Sequence, residues 1–297
     1  MKKGLGVRTD TVLYPRDLQS IDNTLYQPKE SELIARRVFS LKTDDPEWAE
    51  TIGYDKQTRA GSAAILNLMA SNLPFVDVDV TRAIQRVHTL ATAWKLRFAE
   101  VEAARAAGKQ LEPAKAAAAR RYMAAEENSL AFNGDSGFNI LGVFTSTDRL
   151  ETSATNGDWD TLGETDGPKI VADIRKGRMA QNKLDGFDTQ VLILSSENYE
   201  YLGYFMSDRY DITVLEYLRK VNWFPGGIYS SSEVSNTKIA MLDNRPEQVQ
   251  LSIPKDMERL DPWKDSPFST VIPVFQRISG LVVRFPQCIS VVTGIQS

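Results

Sequence analysis

The sequence predicts an α+β protein built on one long helix, and three stretches carry that prediction. Residues 112–133, EPAKAAAARRYMAAEENSLAFN, hold eight Ala, place Pro113 in the one turn of a helix that tolerates it, and close on Asn133-Gly134-Asp135. That is a straight helix with a stop. Residues 76–81 set Val76, Val78 and Val80 on one side and Asp77, Asp79 and Thr81 on the other, the period of a strand with one wet face. From 166 onward helix-like and strand-like segments alternate, and 270–295 divides at Gly280 and Pro286 into three β-branched runs of strand length.

Taken in order, residues 1–45 carry scattered apolar residues between Pro15 and Pro28 with no lasting period, so they read as an extended arm. An ordered arm needs a surface, on its own domain or on a neighbouring copy. Residues 33–39 lead inward as a short strand or turn. Residues 46–87 read as a long hairpin with Thr51, Ile52 and Tyr54 on the outgoing limb and FVDVDVTRAIQ returning. A lone two-stranded ribbon is marginal in water, so its cover should come from outside the domain.

A shorter amphipathic helix is expected over 92–107, ended by Gly108. In the long helix Ala114 and Ala116 to Ala119 allow close approach, while Tyr122, Met123, Leu130 and Phe132 supply bulk. Glu126 and Glu127 stand out because neither has Lys or Arg at i±3 or i±4, and both sit where the macrodipole disfavours an anion. They are either solvated or clamped to an arginine of another element or subunit, with Arg36, Arg37, Arg59 and Arg82 as candidates. Residues 145–167 read as a loop crossing between lobes. A second lobe follows, with helices at 166–184, 196–206 and 212–220 and strands at 189–194, 227–231 and 238–242; the runs in 270–295 then pack beneath the long helix.

Composition narrows the function classes. The 297 residues are 42% hydrophobic, enough for a substantial core, and a net charge of −4 provides no global basic field for gripping nucleic acid. Residues 95–121 hold seven Lys/Arg against three Glu, while 148–166 hold six Asp/Glu against one Arg, a segregation that suits surfaces meeting other copies. One Cys and one His exclude a zinc site of the usual kind and leave no nucleophile elbow around Cys288 or His88. No phosphate-cradling glycine motif occurs, no apolar run is long enough to span a membrane, and the start has no apolar signal segment. No catalytic residue, cofactor or metal is expected.

The order of parts carries a resemblance. An arm, a long ribbon, a short helix ending at Gly108, the beam helix running into Phe132-Asn133-Gly134-Asp135, the phrase Gly137-Phe138-Asn139-Ile140-Leu141-Gly142, an α/β lobe, and the closing RISGLVVRFPQCISVVTGI resemble a tailed-bacteriophage major capsid protein of the Hong Kong 97-type fold, a family related to the encapsulin shells. The resemblance implies an N-terminal arm at 1–45, an extended β-hairpin loop at 46–90, a peripheral domain at 91–165 with its spine helix at 112–133, an axial domain at 166–265, and C-terminal strands at 266–297 returning to the peripheral domain. It further implies a non-enzymatic subunit of a phage head that forms pentamers and hexamers, encloses double-stranded DNA without sequence-specific contacts, touches no membrane, and meets portal, scaffold and decoration proteins in the host cytoplasm and the virion. An encapsulin nanocompartment shell is the alternative, disfavoured by the irregular arm, and a soluble α+β enzyme is the second. On this picture the residues expected to touch neighbouring subunits are Arg36, Arg37, Asp55, Lys56, Arg59, Asp77, Asp79, Arg82, Glu126 and Glu127. Some capsids of this fold join a loop lysine to a neighbour's Asn. Lys56, the single lysine between 46 and 94, sits on a wet limb beside Asp55, so no such link is expected.

Overall fold

A five-stranded sheet divides the protein between two hydrophobic cores. The computed structural model describes residues 33–62, 75–108, 111–207 and 210–296; the expected arm over 1–32 and the hairpin tip over 63–74 lie outside the described residues. The sheet runs Leu150–Ser153, Ile289–Thr293, Lys238–Leu242, Val191–Leu194, Gly227–Ser230, with parallel pairs at both edges and antiparallel pairs between. Its period of two sends Val191, Ile193, Ala240, Leu242, Ile289 and Val291 into one core and Leu192, Leu194, Ile239, Met241 and Val292 into the other. A sheet covered on both faces needs apolar residues throughout, which is why these strands read as continuous runs.

Helices Gly167–Asn182 and Val214–Val221 close the second core with the fully buried Trp159. The long helix, Leu111–Phe132, closes the first with its last turn, Leu130, Ala131 and Phe132. Its exit is tight. Val143 and Phe144 donate backbone N–H to the carbonyls of Ala131 and Phe132, satisfying helix-end acceptors, and Gly142 lies so close that a Cβ there would meet Phe132 O at 2.5 Å.

Around the long helix stand two further sheets. Ser40–Lys42 pairs in parallel with Val249–Ser252, which pairs antiparallel with Gly280–Val283. The ten-residue strand Ser269–Ile278 has His88–Arg97 along one edge and Lys255–Arg259 followed by Trp263–Ser266 along the other. The ribbon, Thr51–Gly61 against Val76–Arg86, forms a sheet of its own.

Several expectations change. The helix expected over 92–107 begins only at Phe98 and ends at Ala106, because His88–Arg97 is a strand. Leu90, Thr92, Trp94 and Leu96 are half-buried and their neighbours exposed, and this period of two, with a full ladder to Ser269–Ile278, outweighs the helix preference of Ala and Lys. Residues 33–39 hold a one-turn helix, Ala35–Val38, ahead of the strand Ser40–Lys42. The expected crossing loop contains a strand, Leu150–Ser153, and the helix from Ser196 stops at Glu200 in favour of a 3-10 turn and the strand Phe205–Ser207. Lys255–Arg259 and Trp263–Ser266, at the end of the expected axial range 166–265, pair with Ser269–Ile278, while Ile289–Thr293 lies inside the five-stranded sheet, so the chain's last strand joins the two cores.

Just ahead of that strand, at the end of a 3-10 turn, Cys288 is fully buried, and burial, then the charge of Asp243, push its thiol up to about 12. The unfolded thiol ionises near ~8.5, so between these values the unfolded chain binds fewer protons than the folded one. Stability is full below about 8.5 and falls as pH rises, by up to about 1.4 kcal/mol per pH unit from this group. Denaturant titrations of the unassembled subunit from pH 8 to 10 are expected to show a steeper decline for the parent than for Cys288→Ala. Parallel slopes would mean that the thiol is solvated.

Candidate assembly surfaces

Among the described residues no group of three His, Cys, Asp or Glu converges as a metal site, and His88 sets its ring edge-on to Phe138 at 5.4 Å.

The paired acids of the long helix separate. Glu127 is 2% exposed and takes two parallel hydrogen bonds from Arg36, Nε to Oε1 at 2.6 Å and Nη2 to Oε2 at 2.7 Å. Gln276 Nε2 donates a third at 2.7 Å. Arg36 also grips Asp256, at 2.7 and 3.2 Å, so one guanidinium bridges two carboxylates. The hydrogen bonds of Glu127 and then Asp256 hold Arg36 far above its ordinary value, and Arg36 holds Asp256 below the usual carboxylate range. Next to this clamp, Asn128 Oδ1 accepts the N–H groups of Ile34 and Ala35 at 3.1 and 3.0 Å, capping the one-turn helix from 94 and 93 residues away. Such a helix cannot hold itself. Arg36 and Glu127, expected to touch a neighbouring subunit, are thus satisfied within one chain, while Glu126 is exposed and has no ion-pair partner among the described residues. Arg37 lies over the Tyr229 ring at 5.4 Å.

On the ribbon, Arg82 stands opposite Asp55 and binds it at 2.7 and 3.0 Å, an exposed cross-strand pair. Lys56 Nζ lies 5.6 Å from the centre of the Tyr54 ring. Asp77 and Asp79 are exposed, and Asp77 accepts the N–H of Val78. The backbone of Arg59 pairs with Val78; its side chain is outside the described residues. The sequence expectation grouped these residues as neighbour contacts, and the structure joins Asp55 with Arg82 and Arg36 with Glu127.

Among the described residues the ribbon is anchored at its root. Ile52 is buried, Tyr54 donates to the Val283 carbonyl, and Gln85 Nε2 donates to the carbonyls of Ser279 and Leu281. Beyond the root, Val76, Val78, Val80 and Ile84 are 70%, 45%, 57% and 69% exposed on one face. A cavity of about 630 Å³ opens between the root and the loop after the long helix, and it includes Lys56, Arg86 and His88. Lys56 lines this open space with its Nζ beside the Tyr54 ring, and no covalent link through it is expected. Boiled in detergent, particles are expected to run as one band near 33.2 kDa. A ladder of multiples that vanishes in Lys56→Ala would show a covalent link.

Asp256, Gln276 and Asn128 were not found by sequence reasoning. Their partners lie too far along the chain for any local signal, although a buried amide beside a buried acid is the mark of such a network.

Comparison with known proteins adds the relatives. Residues 61–295 match the family described as "Major capsid protein". The type 1 encapsulin shell protein EncA of Myxococcus xanthus (strain DK1622) is 23% identical over 239 residues, 80% of this chain and 79% of that protein. The capsid of Myoviridae phage XM1 is similar in fold with a TM-score of 0.81 at 12% identity, covering 96% of this chain and 99% of that one. The virus-like particle from Pyrococcus furiosus is similar with a TM-score of 0.61 at 14% identity over 89% and 92%.

Proposed function

The chain belongs to the major capsid protein family, and from that premise we propose that many copies assemble into the closed icosahedral head of a bacteriophage around double-stranded DNA. The observation that carries this reading is the ribbon, whose outer apolar face has no cover among the described residues. In a shell each ribbon lies on an adjacent subunit, and the side chains of Val76, Val78, Val80 and Ile84 leave water on assembly. Pentameric and hexameric rings form from the lobe at 166–265, and the lobe with the long helix meets its neighbours at the periphery. The subunit performs no turnover; scaffold, portal and decoration proteins are its partners, in the host cytoplasm during assembly and in the virion afterwards.

An encapsulin-type compartment is the second reading, favoured by the identity to the Myxococcus xanthus shell protein. Electron microscopy of the purified chain, alone and with scaffold protein, tests the shell, with closed particles bearing five-fold and six-fold rings as the expected result. A monodisperse monomer under both conditions overturns it. Particles from the native source holding long DNA protected from nuclease support the phage head; particles holding a folded enzyme instead support the compartment.

A further inference from the structure

The cavity of about 630 Å³ at the ribbon root carries one sign of charge. Lys56 and Arg86 of the ribbon line it together with the His88 ring, and none of its lining residues is Asp or Glu. The acid next to Lys56 in the chain is Asp55, which the period of two turns to the other face of its strand, where Arg82 binds it at 2.7 and 3.0 Å. Lys56 and Arg86 therefore have no carboxylate partner among the described residues. A further cation stands close by. Burial pushes the Tyr54 hydroxyl above its usual range and the charge of Arg284 opposes it, while the hydrogen bonds of Arg284 go to the Pro246 carbonyl and the Gln250 amide and to no acid.

Flat apolar surface lies beside these charges. Phe138 lines the cavity, belongs to neither hydrophobic core, and is 61% exposed with the His88 ring edge-on to it at 5.4 Å. Asn139 and Thr147, from the loop after the long helix, add an amide and a hydroxyl. Like charges along a concave wall raise the potential inside it and draw an anion there. Volume decides the size of that anion: sites for small organic ligands hold about 300–1,000 Å³, and a lone inorganic ion would leave most of this one to water.

We propose that this cleft binds a nucleotide, its phosphate held between Lys56 and Arg86 and its base laid against Phe138. Ammonium and guanidinium groups both suit phosphate oxygens, and every base has a face that an aromatic ring can cover. The cations belong to the ribbon, whereas Phe138, Asn139 and Thr147 belong to the loop after the long helix. A bound nucleotide thus ties the ribbon to the body of the subunit, beyond the contacts that Tyr54 and Gln85 already make.

Calorimetric titration of AMP and of inorganic pyrophosphate into the purified full-length chain tests this, and because it is read on the unassembled chain it is decided apart from the shell reading. Both are expected to bind at one site per chain, to compete, and to weaken as salt rises. Lys56→Gln with Arg86→Gln is expected to weaken both at least tenfold while thermal unfolding stays unchanged. Phe138→Ala is expected to weaken AMP severalfold and to leave pyrophosphate as it was. Amide hydrogen exchange at 51–57 and 83–87 is expected to slow when AMP is present. Should the double variant unfold, Lys56→Gln alone is expected to weaken both ligands in the same direction. No saturable binding of AMP at millimolar concentration overturns the proposal, as does binding that loss of Lys56 and Arg86 leaves untouched. If Phe138→Ala changes neither ligand, the nucleotide assignment is wrong. A short single-stranded oligodeoxynucleotide that binds more tightly than AMP through the same three residues makes a nucleic-acid strand the source of the nucleotide; weaker binding makes it the free nucleotide.

Discussion

Arg36→Ala is expected to lower the stability of the unassembled subunit by about 3 kcal/mol, the low end of the cost of stripping one partner from a buried pair, because solvent already screens part of this contact. Arg36 keeps 41% of its side chain exposed whereas Glu127 keeps 3%, so the loss falls on Glu127, left buried with Gln276 as its one remaining donor. The one-turn helix Ala35–Val38 should loosen with it, since Arg36 is one of its four residues. Arg36→Met combined with Glu127→Gln is expected to recover most of the loss, because no unpaired charge then stays inside. Glu126→Gln, at an exposed position, is expected to change stability by less than about 0.5 kcal/mol. Denaturant unfolding of the four proteins decides the matter: if the double variant is as unstable as Arg36→Ala, the clamp acts through packing and not through charge. Asp256 supplies the sign at low pH. Its carboxyl is held below the usual range, so its contribution is present above about pH 4, the ordinary Asp value, and is lost as pH falls through the folded value. Arg36→Ala should therefore show a shallower acid decline than the parent.

Val78→Lys with Val80→Lys is expected to abolish particles while leaving the subunit's melting unchanged. Both side chains are exposed and belong to the two-stranded ribbon, so the lone subunit loses no core contact. On assembly the same positions would have to bury charge, at a cost of several kcal/mol per ion, where burying the two valines contributes about 1.5–3 kcal/mol each. Thermal unfolding and particle counts by electron microscopy read the two effects separately. A large drop in melting temperature would place this face in the subunit's own core, and undiminished particles would mean that shell formation leaves it in water.

The same division between local and distant interactions explains what could be read from the chain. The long helix was legible because its Ala content and its Pro and Gly punctuation act within a few residues, and the structure sets it at Leu111–Phe132. The ribbon's return limb was legible because its alternation is complete without reference to any other segment. The strand His88–Arg97 was misread over its second half, since Ala and Lys there favour a helix and only the ladder to Ser269–Ile278, some 180 residues away by sequence separation, makes them a strand. In the assembly surfaces, the missing local partner of Glu127 was visible and Arg36 stood among its four candidates, but the choice of Arg36 over the others and the bond from Gln276 were not.

By itself, then, the sequence determined the beam, the ribbon, the alternating second lobe, the family resemblance, and the need of several charged and apolar groups for partners. Only the tertiary structure decided which partners are internal. Arg36 and Gln276 reach Glu127 across 91 and 149 residues, Asp256 reaches Arg36 across 220, and Asn128 caps a helix too short to form alone. Propensity and period are set by neighbours along the chain, whereas the choice between a buried ion pair and a solvated carboxylate depends on desolvation, which is fixed only when distant segments exclude water from the same place.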